Sequence, residues 1–368
     1  MKLLINKSVI ETAATDLARV IAQRNAIPIL ADIMCEVHGD TMTMTANDAE
    51  VMLKTTVPLE QSDGDGCFCV LAMRLTQALA PLPNQTLTIT IDNDQNQMHI
   101  RHSRGETFFP IDNHNEYPTL ADDANSNPVA LDATALCNAL KVTQWATALD
   151  ELRKQLCGVY LNTVPEGLDV VATDGKCLVR YRLSDITQQV SVIIPKKVVK
   201  ILLSILGDGG VTLTVGSKTG RISTARYTLT FLQIDARYPN YESVIPKEAP
   251  LTAELNRVEA ISSIRCVMPF SDTTLGMLRV SLEDGKMNVS GQDTMFACGA
   301  EGNASVQYQE QNISIGLHGG FLLNTLTNIP AEQLRLRMTD AQHPLVIEPL
   351  EQPQGCNIMM MVMPMRLD

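Results

Sequence analysis

Several short stretches carry residue types that could do chemistry, and each fails on spacing. Gly210 and Gly216, followed by Ser217-Lys218-Thr219, supply the glycines and lysine of a phosphate-cradling loop. Such a loop needs four residues between its glycines and the lysine directly after the second. Here five intervene and Ser217 precedes the lysine, so a strand and a turn are expected. Asp92-Asn93-Asp94-Gln95-Asn96 starts like a calcium loop, but Gln97 stands where glycine is needed and Ser103 where the closing glutamate belongs. A hairpin turn is the better expectation. No nucleophile elbow and no H-E-x-x-H occur, and the six histidines are scattered. The nine cysteines lack paired spacing, with Cys67-Phe68-Cys69 the one close pair. They are expected as reduced thiols in cores, with no metal and no cofactor.

Asp48, Asp174 and Asp293 are the remaining candidates, and they are too regular for one active site. Each closes a short alternating run: Met42-Thr43-Met44-Thr45-Ala46-Asn47-Asp48, Leu168-Asp169-Val170-Val171-Ala172-Thr173-Asp174 and Met287-Asn288-Val289-Ser290-Gly291-Gln292-Asp293. Alternation means a half-buried strand, and the aspartate is expected to cap the turn at its end. Nothing in these residues argues for an enzyme.

What is left points to surfaces. At 100° per residue, Lys196, Lys197 and Lys200 fall within one sector of a predicted helix, while Val198, Ile201, Leu202 and Ile205 face the other way. Surface lysines usually serve solubility, but three with no acid between them are a candidate phosphate-facing patch. The formal charge of −12 argues against a nucleic-acid binder, although net charge does not show where charge lies. The tail Ile358-Met359-Met360-Met361-Val362-Met363-Pro364-Met365-Arg366-Leu367 is unusually apolar. Its first part is expected to be a last strand, with Pro364 stopping the pairing and leaving Met363, Met365 and Leu367 at the surface or in a groove.

The elements that position these residues recur. The three aspartates are separated by 126 and 119 residues, close to a third of the 368-residue chain. A second marker keeps the same step: strand ends at Val70, Ile194 and Ile315, each running into a helix, are 124 and 121 residues apart. That period is the size of a small domain, not of a solenoid repeat. Three tandem, similar α+β domains are therefore expected, at 1–123, 124–249 and 250–368. The polar connector 121–128 and the proline-bounded stretch 246–250 mark the boundaries.

In the first third, helices are predicted over 7–23 and 73–79. Eight strands are predicted, at 2–5, 33–37, 42–46, 51–57, 67–71, 86–91, 97–102 and 107–111, with the helices covering the sheets on one side. Further helices are predicted near 133–147, 196–206 and 255–267. Aromatic residues make up only 4% of the chain, so the cores must be aliphatic and methionine-rich. The start lacks an apolar signal region, and no apolar run nears the roughly 20 residues of a membrane span. A cytoplasmic protein with no membrane partner is expected.

Three repeats of this length, Ala172-Thr173-Asp174-Gly175 with Leu178, the corner Arg237-Tyr238-Pro239-Asn240-Tyr241, and the ending Val362-Met363-Pro364-Met365-Arg366-Leu367 together resemble the bacterial DNA polymerase sliding clamps, the beta subunits of polymerase III. The resemblance covers the whole chain. It implies the DNA clamp fold and a head-to-tail homodimeric ring, with helices lining the hole, antiparallel sheets outside, and duplex DNA threaded without regard to sequence. It also implies that the polymerase III catalytic subunit, the clamp loader and repair proteins dock short peptides on the surface. By similarity the peptide pocket comprises Leu156, Thr173, Gly175, Lys176, Cys177, Leu178, Pro239, Val244, Met361, Met363, Pro364, Met365, Arg366 and Leu367. Arg24, Arg153, Lys154, Lys196, Lys197 and Lys200 would face DNA. The dimer seam would join Thr107, Phe108 and Phe109 to the neighbourhood of Met268 and Pro269. This chain departs from the pattern at Cys177 and Ser243, where relatives often carry arginine, and at Lys154-Gln155, which replaces an aromatic pair. Basic residues confined to inner helices would reconcile the acidic whole with a DNA-encircling role. The rivals are an enzyme with an unrecognised site and a monomeric peptide-binding adaptor that never closes.

Overall fold

Each third of the chain begins with a short strand that runs directly into a helix. Asn6 ends the first such strand, and its side chain accepts from the Ser8 N–H at 3.0 Å. Asn256 does the same in the last third, accepting from Val258 and Glu259 at 2.9 and 3.2 Å. A short polar side chain at this position satisfies N–H groups that the first helical turn leaves unpaired. The computed structural model describes residues 1–22, 27–125 and 127–367.

The first third runs strand Lys2–Asn6, helix Lys7–Ala18, and strands Asp32–His38, Thr41–Asn47, Val51–Pro58 and Gly66–Leu71. Helix Ala72–Leu79 and strands Thr86–Asp92, Gln97–His102 and Gly105–Pro110 complete it. The same order recurs from Val129–Asp132 to Tyr227–Leu232, and again from Leu251–Asn256 to Cys356–Val362. A two-residue strand, Gln61–Ser62, is added to the eight expected in the first third. Helices Lys7–Ala18 and Ala72–Leu79 pack on each other, the first also over Thr41–Asn47 and Val51–Pro58. Its inward face is Ile10, Ala13, Ala14 and Leu17, all buried. As the scarcity of aromatics requires, the cores are aliphatic and sulfur-rich, with Met42, Met44, Met287, Met359 and Met360 buried.

Among the described residues all strand pairs are antiparallel, and two of the three sheets cross between thirds of the chain. The five-stranded sheet lies within the first third and ends at Gly105–Pro110. In the eight-stranded sheet, Tyr227–Leu232 lies against Val51–Pro58, with Leu229 opposite Leu53. In the thirteen-stranded sheet, Cys177–Leu183 lies against Cys356–Val362, with Leu178 opposite Met361. The chain forms two compact units on this plan, residues 1–134 with 200–233, and residues 135–199 with 234–368.

The three aspartates do cap turns, in one geometry. Asp48 Oδ1 accepts from the N–H groups of Glu50 and Val51 at 3.0 and 2.8 Å. Asp174 takes Lys176 and Cys177 at 2.8 and 2.9 Å, and Asp293 takes Met295 and Phe296 at 2.9 and 3.1 Å. Side chains bonding the backbone two and three residues on are Asx-turn chemistry, not catalysis. Asp92 closes its hairpin likewise, accepting from Asp94 and Gln95. The phosphate-loop lookalike is the expected strand, Gly210–Val215, and a turn. The turn nevertheless cradles an anion, the chain's own Asp123. That carboxylate accepts from the N–H groups of Ser217, Lys218 and Thr219 at 2.9–3.1 Å, and from two hydroxyls. Those hydroxyl bonds, Ser217 first and then Thr219, hold it far below the usual carboxylate range.

Several element bounds differ from expectation. The first helix ends at Ala18, well short of residue 23, because its last turn tightens: Arg19 and Val20 bond back three residues, to Asp16 and Leu17. The helix predicted over 133–147 is Ala133–Thr143 followed by a 3-10 turn, Gln144–Ala146. There the Thr143 hydroxyl donates to the Ala139 carbonyl, a local bond that competes with helix propagation. The helix predicted from 255 starts at Arg257, since Leu255 and Asn256 finish a strand. Most consequential is the tail. Pro364 does not stop the pairing: Pro364–Met365 forms a second short strand against Ile313–His318, opposite Leu317 and Gly316. Proline is tolerated at an edge, where its missing N–H costs no ladder bond.

Candidate functional site

The second unit holds an apolar cluster whose members are far apart in sequence. Leu156 ends the 3-10 segment Glu151–Leu156, Val171 and Leu178 flank the Asp174 corner, and Met361 and Val346 come from the last third. Tyr238 and Tyr241 close the cluster, with Tyr160 packed on it from the side. Tyr160 stacks on Tyr238 with centroids 4.5 Å apart, and Tyr241 meets both edge-on. Aromatic pairs at such separations contribute beyond their buried area.

A carboxylate beneath the cluster fastens this arrangement. Asp169 is fully buried, and Arg182 clasps it at 2.6 and 2.9 Å. The Tyr241 hydroxyl donates to the same carboxylate at 2.8 Å. The segment 237–244 is thereby tied down at Tyr241, while Tyr238 is held by its stack on Tyr160, and Pro239 and Val244 are among the residues it exposes. Opposite, the corner of strands Gly167–Thr173 and Cys177–Leu183 turns at Gly175, where φ is +89°, a backbone conformation that costs glycine nothing. Arg153 lies over that glycine, its guanidinium within 3.0 Å of where a Cβ would stand. The Thr173 hydroxyl donates to the Cys177 carbonyl and accepts from the Gly175 N–H. Burial, and then Asp174, push the Cys177 thiol far above its ordinary range, so it stays protonated and serves as packing.

The tail enters at this corner. The Met363 N–H donates to the Lys176 carbonyl at 2.9 Å, after which Pro364–Met365 pairs with Ile313–His318. The fit is close, since a Cβ on Gly316 would meet the Met365 carbonyl oxygen at 2.5 Å and Leu367 at 2.9 Å. His318 and Phe321 stand beside it. Lys176 Nζ sits 5.8 Å over the Phe321 ring, in cation–π range, and the His318 and Phe321 rings are 4.6 Å apart. His318 Nδ1 caps helix Gly319–Asn328 by accepting from Gly320 and Phe321. Burial first, and Lys176 second, hold its pKa below the ordinary histidine value, which keeps the accepting nitrogen free of a proton.

Thus Leu156, Thr173, Cys177, Leu178 and Met361 form a buried floor and corner, and Gly175, Lys176, Pro239, Val244 and Met363 are exposed around it. Pro364 and Met365 are half-buried, and Arg366 is exposed. Leu367 is seated over Gly316 and borders a separate depression lined by Leu275, Met277 and Arg279. Tyr160, Asp169, Arg182, His318 and Phe321 were missing from the sequence-derived set, and no local pattern marks them, because their roles exist only in three dimensions. An apolar floor with a mixed, exposed rim can seat a short peptide carrying two or three large apolar side chains, and among the described residues it holds no nucleophile–base pair.

The other expected residues lie elsewhere. Lys196 and Lys197 are half-buried at the start of helix Lys196–Ile205, Lys200 is exposed, and Val198, Val199, Ile201 and Leu202 are buried. Burial lowers the pKa of Lys197. Arg153 and Lys154 are exposed on the 3-10 segment, Arg153 leaning to the groove corner as described. Arg24 lies outside the described residues. Phe108 is 62% exposed on the outer edge strand Gly105–Pro110, stacked on His99, while Phe109 is buried and Thr107 half-buried. Met268 and Pro269 form the short 3-10 turn Met268–Phe270 after helix Arg257–Val267. Close by, strand Cys298–Gln307 pairs along Lys286–Asp293 on one side, and on the other meets Leu251–Asn256 only at Val306 and Gln307. Residues 298–305 therefore carry an open edge among the described residues.

A strand–helix–four-strand–helix–three-strand unit used three times and joined through continuous sheets is the architecture of a sliding clamp, a processivity factor and not an enzyme. The chain belongs to the DNA polymerase III beta subunit family: the models of its N-terminal, central and C-terminal domains match residues 1–121, 130–240 and 242–366. The beta sliding clamp of Pseudomonas putida is 27% identical over 355 residues, covering 95% of each chain. That of Haemophilus influenzae is 26% identical at the same coverage. Among solved structures, the DNA polymerase III subunit beta of Pseudomonas aeruginosa superimposes with a TM-score of 0.93 at 25% identity, covering all of both chains. A sliding clamp from the same organism bound to griselimycin gives 0.94 at 25% identity. Among the described residues no helix is long and apolar enough to cross a membrane.

Proposed function

We propose that two copies of this chain close head to tail into a ring that encircles duplex DNA in the cytoplasm. In this reading the domains are 1–123, 124–249 and 250–368, with their helices turned to the DNA. The groove tethers the polymerase III catalytic subunit, the clamp loader and repair proteins in turn. The observation that carries this is the apolar site: Leu156, Leu178 and Met361 form a buried floor, and Lys176, Pro239, Val244 and Met363 are exposed around it. A peptide burying two or three Leu or Phe side chains there would gain roughly 1.5–3 kcal/mol from each. After ordering costs, micromolar affinity, about −8 kcal/mol, follows, which suits partners that must exchange. A ring that slides needs weak, salt-screened phosphate contacts and no base contacts, and Lys196, Lys197 and Lys200 supply that chemistry. The seam is assigned to the two open edges, Gly105–Pro110 of one copy adding to residues 298–305 of its partner, since edge strands invite pairing.

Loading onto nicked circular duplex and onto linear duplex of the same sequence tests the reading. The protein is expected to stay on circles and to run off linear ends. Changing Lys196, Lys197 and Lys200 to glutamate should impair loading without dissolving the dimer. Equal retention on both DNAs would mean that direct contacts, not topology, hold it there.

A further inference from the structure

One depression in the first third has at its floor a buried carboxyl, Asp32, set against a second carboxyl, Asp112. Asp32 begins strand Asp32–His38 and is only 2% exposed. Its Oδ2 has no hydrogen-bond partner. Asp112 and Glu116 stand at the exposed mouth, Asp112 fixed by two backbone hydrogen bonds with Cys69, at 2.9 and 3.1 Å. Ile27, Pro28, Ile29, Leu71 and Pro110, with one polar residue, Asn113, line the rest. The volume is about 560 Å³, within the roughly 300–1,000 Å³ of small-molecule sites.

A buried carboxylate set against a second carboxylate is costly, and the pair is stabilised either by a shared proton or by a cation. The groups facing Asp32 are Asp112 and Glu116, the Cys69 thiol, and Tyr117, whose hydroxyl donates to the Asp32 carbonyl at 3.4 Å. None brings positive charge. Among the described residues no lysine or arginine pairs with Asp32, Asp112 or Glu116. Burial, and then a hydrogen bond with Asp112, raise Asp32 to about 7. A proton held that loosely can be displaced near neutral pH. The displacing ion is not a metal on this geometry: no three His, Cys, Asp or Glu side chains are grouped to hold one among the described residues. Apolar walls over an acidic floor fit a cationic head on an alkyl stem.

We propose that this depression binds an alkylammonium or alkylguanidinium group, its charged head set at Asp32 and Asp112 and its stem along Ile27, Pro28, Leu71 and Pro110. The test is calorimetric titration of the full-length protein with n-butylguanidinium. Binding is expected near pH 8 and roughly 20- to 30-fold weaker near pH 5.5, where the carboxyl pair keeps its proton. Asp112→Asn, at an exposed position that leaves the fold in place, should abolish binding at both pH values, as should Asp32→Asn if it folds. Spermidine and the blocked peptide acetyl-Gly-Arg-Gly-amide separate the two sources, a free polyamine or a protein side chain. Binding of either that is lost in Asp112→Asn supports the site and names its source. Equal binding by wild type and Asp112→Asn, equal affinity at both pH values, heat from neutral n-butanol matching that of n-butylguanidinium, or competition by magnesium at equal concentration would each overturn the proposal.

Discussion

Removing the fasteners of the groove's tyrosine corner one at a time should give effects of two distinct sizes. Asp169 is buried with two partners, the Arg182 guanidinium and the Tyr241 hydroxyl. Tyr241→Phe deletes one hydrogen bond to a charged acceptor and leaves the ion pair intact, a loss of about 1.5–3 kcal/mol. Arg182→Gln leaves the carboxylate buried with the phenol alone, and breaking a buried pair from one side costs about 3–5 kcal/mol. Urea unfolding at neutral pH reads both as midpoint shifts at unchanged slope. Affinity for a polymerase-derived peptide, read by fluorescence anisotropy, gives a second axis. Tyr241→Phe frees the segment bearing Pro239 and Val244, and should weaken the peptide by about 3- to 10-fold, roughly 0.6–1.4 kcal/mol. If Tyr241→Phe costs less than about 0.5 kcal/mol, the range of an ordinary surface change, or if the two substitutions cost the same, Asp169 is not what holds the corner.

Truncation after Val362 should abolish peptide binding while the dimer persists in the ultracentrifuge. It also removes the Pro364–Met365 pairing and the Met363–Lys176 bond, so stability should fall by about 1–2 kcal/mol; unchanged peptide affinity would dismiss the tail as part of the peptide site. His318 has a depressed pKa in the fold, so its contribution is complete above the unfolded value near 6.5 and is lost as pH falls below it. Acidification should therefore weaken the helix cap and the Lys176–Phe321 wall, and His318→Asn, which can still cap, should flatten the pH profile of peptide binding between about pH 7 and 5; an unchanged profile would exclude His318 as the titrating group. Glutamates at Phe108 and Met268 together should yield a folded monomer by sedimentation, and a stable dimer would move the seam elsewhere.

The repeat was legible because it is written locally. An aspartate bonding N–H groups two and three residues on needs only itself and the next three positions, and so Asp48, Asp174 and Asp293 announce three turns without reference to the rest of the fold. The floor residues Leu156, Leu178 and Met361 were reached through the family resemblance, on short motifs at Asp174 and at the tail. What joins those pieces was not legible. Alternation tells that Cys177–Leu183 is a strand but not that its neighbour is Cys356–Val362, because any half-buried strand of suitable length carries the same pattern. Tyr160 and Tyr238 are separated by 78 residues, and nothing in the spacing foretells their stack. The tail misled for a definite reason: Pro364 lacks an N–H, which ends a ladder in mid-sheet but is harmless at an edge.

The pairing of Leu178 with Met361 also sets a clock on synthesis. When residue 183 leaves the ribosome, the outer edge of Cys177–Leu183 has no partner, because Cys356–Val362 has not been made. At roughly 5–20 residues per second, the 173 residues from Leu183 to Cys356 take on the order of 10–35 s. For that interval a nascent chain displays Leu178, Val179 and Tyr181 along a strand with one unpaired edge, and such edges invite pairing with other chains. During translation that open edge is thus a hazard, removed once Cys356–Val362 emerges to pair with it.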